Sequence, residues 1–383
     1  MERQFNGDRL KKARIYRGMT VKELADASGC QRQTLSMYEI SKSQPSDSGV
    51  VDKLADILNF PVGYFYENGN VDNKGTVYFR SLLTTNKKYR TEQIIKMEFL
   101  SQVYSLLEDY IQFPEVKLLP NNIEHTPESA AKELRRLWGL GNEPIKDIVT
   151  EVEKHGLLVT TFDTSTSDID AFSQFVSTSS EPTFLIAYSN NKTSAARIHF
   201  DIAHELGHIC LHDWSDDIEE LTKEEFKERE QQAHEFAAAF LLPEESFKRD
   251  AMSTPQTIAG YRNLKKKWRV SIAAMIRRAS QLGVIPYTKY QDMIRVMQRR
   301  GIRKEEPLDD VLITAGPALL KTSVMILLHE KVFTPQEFME ELSDEYGLSI
   351  YPEDVEDLLD LPKGTLAPDK TINFPTLWVK KEK

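Results

Sequence analysis

Between Arg197 and His212 the chain reads RIHFDIAHELGHICLH, and His204, Glu205 and His208 within it form an HExxH motif. Residues four apart share one face of a helix, so His204 and His208 can offer two imidazoles to one cation. Glu205 stands one step round, where its carboxylate reaches a water at the cation rather than the cation itself. Ile198, Ile202, Leu206 and Ile209 make an apolar stripe on the other side. Such a helix buries its back and shows its histidines to a cleft. A catalytic zinc takes three protein ligands and keeps one position open, so a third donor is needed. The next helical run, KEEFKEREQQAHEFAAAFLL from Lys223 to Leu242, ends at Pro243. Its predicted buried face carries Phe226, Ala233, Phe236, Ala237, Phe240 and Leu241. Glu230 falls on that face, while Glu224, Glu228 and Glu235 point elsewhere. An inward carboxylate needs a partner, and Glu230 is therefore the expected third ligand. The competing partner is Arg197 or another cation.

Other residues around this pair have subordinate readings. His234, one turn after Glu230, is placed to support a ligand or add a further one, as is His212. His199 reads as structural, and Cys210, in an apolar run, as a buried small hydrophobe. His199, Tyr188 and His212 are candidate oxyanion donors. A third histidine six residues after His208 would suit a metzincin, but that position is Trp214.

Earlier elements must carry this site. Three helices are expected at Thr91 to Phe113, Thr126 to Gly139 and Pro144 to His155, the second opened by the N-cap Thr126 and by Pro127. Strands are expected at Leu157 to Phe162, Ala171 to Val176 and Thr183 to Tyr188. The last, just before the HExxH helix, is a candidate for pairing with an extended peptide; the alternative is an ordinary core strand. Ser271 to Leu282, Thr334 to Tyr346 and Pro352 to Leu361 read as further helices. Residues 287–383 are acidic and helical without a catalytic motif, suiting a sensor, a dimer surface or a lid.

Residues 8 to 66 have a different character. Asp8 to Arg17 reads as a helix broken by Gly18. Thr20 and Glu23 form a capping box for Val21 to Ser28, and after Gly29 comes Gln31 to Ile40. Leu24, Ala25, Leu35 and Tyr38 point inward, and Val50 to Leu58 adds another amphipathic helix. In a helix-turn-helix, the helix after the turn enters the major groove. Gln31, Arg32, Gln33, Thr34, Ser36 and Met37 are the candidate base-facing residues, with arginine suited to guanine and glutamine to adenine. Lys42 and Lys12 are candidate phosphate contacts. Met1 to Tyr66 has ten Lys and Arg against eight Asp and Glu, so +2, within a chain of net charge −10. A faintly basic head on an acidic body suits a nucleic-acid module fused to something else. The polar stretch 68–77 reads as the linker.

Two cysteines in 383 residues give no disulfide framework and favour a reducing cytoplasm. No run is apolar enough for a membrane helix, and no signal peptide is expected.

Two resemblances follow from these motifs. LKKARIYRGMTVKELADASGCQRQTLSMYE with LADILNFPVGYF resembles the XRE (Cro/repressor-type) family, with one departure. Glu39 is followed by Ile40 and Ser41, where the family often has Asn or Arg and then Gly. RIHFDIAHELGHICLH with EREQQAHEFAAAFLLP resembles the ImmA/IrrE zinc metallopeptidases, together with PIKDIVTEVEKHGLLV, the DAFS segment at Asp170 to Ser173, and WRVSIAAMIRRASQLGVI. That likeness implies zinc on His204, His208 and Glu230 and catalysis by Glu205. The family's usual Asn is His234 here.

The expected fold is mostly α with a small β-sheet (α+β). An all-α lambda-repressor-like domain at 1–67 and a linker at 68–77 precede a zincin-like peptidase domain at 78–286 and a helical region at 287–383. The expected function is a homodimeric regulator that binds an operator in double-stranded DNA. Its zinc endopeptidase would cleave a repressor- or antitoxin-type protein, or the chain's own linker. The alternatives are a repressor whose zinc site only senses or stabilises, and an antitoxin that holds a toxin through its acidic C-terminal region.

Overall fold

The computed structural model describes residues 4–67, 77–79, 87–120, 125–162, 170–176, 182–191, 194–214 and 221–368. Of the expected linker, 68–76 lies outside the described residues.

The head is built from α1 (Gly7–Tyr16), α2 (Val21–Ser28), α3 (Arg32–Glu39), α4 (Ser48–Leu58) and a short 3₁₀ turn at Val62–Tyr66. The Thr20/Glu23 capping box is present on α2. A Cβ on Gly7 would lie 1.9 Å from the Tyr38 carbonyl oxygen, so α1 and α3 approach as only glycine permits. Arg14 grips Glu39 with both ends of its guanidinium, a fork-to-fork pair that sets these helices side by side. Ser41 has φ +55°. The position where related domains often carry glycine thus retains its left-handed backbone with a serine in it, at a cost of roughly 1–2 kcal/mol.

The body contains β1 (Val77–Phe79), α5 (Lys87–Tyr110), α6 (Pro127–Leu137), α7 (Ile148–Lys154), β2 (Leu158–Phe162), β3 (Ala171–Val176), β4 (Thr183–Ser189), α8 (Ala195–Leu211) and α9 (Lys223–Leu241). Then come α10 (Glu244–Met252), α11 (Ile258–Trp268), α12 (Ile272–Gln281), α13 (Tyr287–Arg299), α14 (Leu319–His329), α15 (Pro335–Asp344) and α16 (Pro352–Leu359). The fold is mostly helical with one small mixed sheet, as expected. Helix α7 begins at Ile148 rather than Pro144, because Asp147 caps it by accepting the Thr150 N–H.

The sheet runs β1-β3-β4-β2, antiparallel except for the β2–β4 pair. This order corrects the peptide-pairing expectation for Thr183 to Tyr188. Strand β4 is paired on both sides, from Thr183↔Val176 to Tyr188↔Ala171 against β3 and from Leu185↔Leu158 to Ser189↔Phe162 against β2. It therefore has no backbone edge to offer and is a core strand.

Alternate residues of the sheet enter two different cores. Leu158, Phe172, Leu185 and Ala187 join a core that also holds α1–α4 residues such as Leu35 and Leu54, α5 residues such as Phe99 and Leu106, and C-terminal residues such as Val324, Phe338 and Val355. Val159, Ala171, Ile186 and Tyr188 join a second core with Ile198, Ile202 and Leu206 of α8, Phe236 and Phe240 of α9, and Trp268, Met275 and Ile276. The head is also clasped by polar contacts. Arg17 makes a two-pronged ion pair with Asp354 at 2.6 and 2.7 Å. Arg9 donates to the Gly347 carbonyl at 2.7 Å, and the Ser349 N–H donates to Glu67 at 2.9 Å.

Candidate metal centre and nucleic-acid interface

Helix α8 lies on the second sheet face and α9 packs against it. Their close approach depends on Gly207, where a Cβ would come within 3.1 Å of the Ala233 backbone and the Phe236 ring. The glycine inside the HExxH motif thus lets α9 draw near enough for a glutamate side chain to reach the histidines. His204, Glu205 and His208 are fully or almost fully buried. Ile198, Ile202, Leu206 and Ile209 are in the core as predicted, and so are the predicted apolar residues of α9 except the half-buried Phe226.

Three donors converge. The His204 and His208 Nε2 atoms are 3.1 Å apart. Glu230 Oε2 is 3.4 Å from the first and Oε1 is 3.1 Å from the second. A tetrahedral cation with bonds of about 2.0–2.1 Å spaces its ligands about 3.3 Å apart. The donor types and their separations therefore fit one such ion, and the trio is the only metal-competent cluster among the described residues. Burial pushes the Glu230 carboxyl upward, but hydrogen bonding to both imidazoles reverses this and leaves it well below the ordinary range. Arg197, the competing partner for Glu230, instead donates to the Lys304 carbonyl.

The surrounding residues hold these donors. His208 Nδ1 lies 3.0 Å from His212 Nδ1, and His212 Nε2 lies 3.1 Å from Gln232 Oε1. A glutamine of α9 therefore orients one candidate ligand of α8 through an intervening ring. Burial and the neighbouring His208 depress the His212 pKa to about 3, so it serves as a neutral link. His234 stands edge-on to His204 with ring centroids 4.8 Å apart; it supports the trio and is not one of the convergent donors. Ser173 Oγ donates to Glu205 Oε2 at 2.6 Å. Sequence reasoning noted the DAFS segment without assigning its serine a role. The signal was positional, since Ser173 stands between the apolar Ala171 and Phe175 on one face of β3.

Two of the three candidate oxyanion donors are engaged by other residues. His212 is engaged by His208 and Gln232. Tyr188 is buried on the sheet. His199 Nε2 lies 3.3 Å from Thr314 Oγ1, whose own proton goes to Asp147 Oδ2 at 2.9 Å, so His199 must be the donor to Thr314. Burial lowers its pKa to about 4 despite the pull of Asp147. With a folded value below the ordinary 6.5, the unfolded chain binds more protons between the two. The stability tied to neutral His199 is complete above about pH 6.5 and is lost as pH falls toward 4, about 3 kcal/mol in all. We expect the melting temperature of the wild type to fall more steeply over this window than that of His199→Gln. Parallel slopes would show that His199 does not titrate there.

A cavity of about 1470 Å³ lies between α6 and α10 and is lined by no residue of the trio. Its size carries no chemistry.

On the head, Gln31, Arg32, Gln33 and Lys42 are exposed, and Thr34, Ser36 and Met37 are half-exposed, on α3 and its flanks. Leu35 and Tyr38 anchor the helix from beneath. Lys12 is a correction: it pairs with Glu98 of α5 and with Asp8, so it is tied within the protein rather than held ready for a phosphate.

Residues 10–65 match the family model described as Helix-turn-helix, and residues 152–280 match IrrE N-terminal-like domain. No curated protein matches the chain. No described helix is long and apolar enough to cross a membrane. From α3 on the head and the α8–α9 pair in the body, and from these two matches, the chain is a fusion of an XRE-type helix-turn-helix domain with an IrrE/ImmA-like peptidase domain.

Proposed function

We propose that the protein is a cytoplasmic, operator-binding regulator whose body is a zinc-dependent endopeptidase, and that it cuts a separate repressor- or antitoxin-type protein to relieve repression. The observation that carries this reading is the convergence of His204, His208 and Glu230, from two helices, beside the buried carboxylate of Glu205.

His204, His208 and Glu230 would hold the zinc, which would supply Lewis acidity toward the scissile carbonyl and the attacking water. Glu205 takes that water's proton and passes it to the departing amine. Ser173 holds one carboxylate oxygen, which fixes the direction of the other. Gln232 and His212 keep the His208 ring turned toward its partners. A separate substrate fits better than the chain's own linker. The head shares a core with α5 and α14–α16 and is clasped through Arg17 and Arg9, so a cut in the linker leaves it seated on the body.

The test is incubation of the zinc-loaded chain with repressor and antitoxin proteins from its own operon and neighbouring genes. Discrete fragments that vanish with a chelator and return with zinc are expected. If no candidate is cut, the reading becomes a regulator whose metal only stabilises or senses.

For the DNA half, Arg32→Ala with Gln33→Ala is expected to weaken operator binding about 100-fold, since each good base contact contributes about 1–3 kcal/mol. The melting temperature should stay unchanged, because both side chains are exposed. Unaltered affinity in a mobility-shift titration would move the recognition surface elsewhere. We expect a homodimer on a two-fold operator.

A further inference from the structure

A chamber of about 350 Å³ opens one helical turn from the histidine–glutamate trio. Two of its lining residues share helices with the trio: Phe200 lies on α8 four residues before His204, and Ala238 lies on α9 eight residues after Glu230. His234, whose ring abuts His204, forms the wall nearest the metal centre. Tyr290 and Ile294 of α13 complete an apolar lining. This volume lies at the low end of ordinary ligand sites and is ample for one amino-acid side chain. The offset from Phe200 to His204 is one helical turn, about 5.4 Å, a spacing that suits the residue next to a bond being cut.

The charges in its lining are not equally available. Asp170 and Asp201 have partners within the protein, and Glu235 accepts the Gln231 amide at 2.5 Å. Arg197 donates to the Lys304 carbonyl. Arg277 and Arg303 line the chamber and have no hydrogen bond or ion pair among the described residues. Arginine presents a planar fork of donors matched to a carboxylate. An apolar stem-binding wall topped by two uncommitted guanidinium groups is a complement for Glu, and less well for the shorter Asp.

We propose that this chamber is a specificity subsite that takes an acidic side chain of the peptide, one residue from the scissile bond, through Arg277 and Arg303. The proposal rests on the peptidase reading above and names the substrate feature that reading leaves open.

The probes are positional-scanning hexapeptide mixtures with one position fixed as Glu, Gln or Lys. Their binding is measured to the full-length, zinc-loaded Glu205→Gln protein, so that affinity is read without turnover. At one position Glu should bind about tenfold more tightly than Gln. Arg277→Gln with Arg303→Gln should level the two, and Arg277→Glu with Arg303→Glu should favour Lys. Both arginines are exposed, so unchanged melting temperature and zinc content are the expected controls. A preference for Lys or an apolar residue in the parent, a Glu preference that survives both double variants, or no binding of any mixture would each overturn the subsite. If Glu mixtures bind as expected but the wild type cuts none of them, the subsite stands and the hydrolytic reading falls.

Discussion

The Glu205→Gln protein is expected to retain zinc and lose peptide cleavage by a factor of about 10²–10⁴, the usual contribution of a positioned general base. Structure favours a clean substitution. Glu205 is fully buried and accepts the Ser173 hydroxyl at 2.6 Å; a Gln carbonyl still accepts that hydrogen bond, though without the charge, and fills nearly the same volume. The three convergent donors do not include this side chain, so metal content should be unchanged. What disappears is the capacity to take a proton. The comparison is single-turnover cleavage of one substrate by both proteins, with zinc measured on each. Equal rates would remove Glu205 from the chemistry, and lost zinc would make it part of the binding site instead.

The largest stability loss is expected away from the metal trio, at Lys265. Its ammonium is 1 % exposed and pairs with Glu306 at 2.8 Å and Asp309 at 2.6 Å. Glu306 also accepts the Ile272 and Ala273 N–H groups at the start of α12. Asp309 accepts Ser194 Oγ, just ahead of α8. One buried cation thus joins α11, α12 and the beginning of the helix that carries His204. Lys265→Met leaves two carboxylates without their counter-charge, and breaking a buried pair in this way costs about 3–5 kcal/mol. Urea unfolding should show that loss, and adding Glu306→Gln should recover part of it by removing one stranded charge. If Lys265→Met unfolds like the wild type, the network is relaxed by solvent and does not brace α8. No sequence pattern marked Lys265. It sits in a run of three lysines that reads as a solvated helix end, and its partners lie about forty residues away.

The local elements were legible because their causes are local. The Thr20/Glu23 box, Pro127 after Thr126, and the 3.6-residue spacing of Ile198, Ile202, Leu206 and Ile209 each act within a turn or two of helix. The pairing of His204 with His208 was legible for the same reason. Glu230 was found as the single inward carboxylate of its helix, although its approach to the histidines requires Gly207 to bring α9 against α8. Long-range consequences were not legible. Strand β4 looked free to pair with a peptide until β2 and β3 were seen on either side of it. Lys12 looked like a phosphate contact until α5 brought Glu98 beside it.

Residue type and helical period by themselves pointed to two imidazoles and a carboxylate as candidate donors for one cation, and determined that the first sixty-odd residues form a helix-turn-helix. Only the tertiary structure decided which hydroxyl holds Glu205, which ring steadies His208, and that the DNA-binding head shares a core with the C-terminal helices. The physical reason is reach. Periodicity reports which way a side chain points from its own helix, whereas a buried hydrogen bond or shared core depends on what another segment brings to meet it.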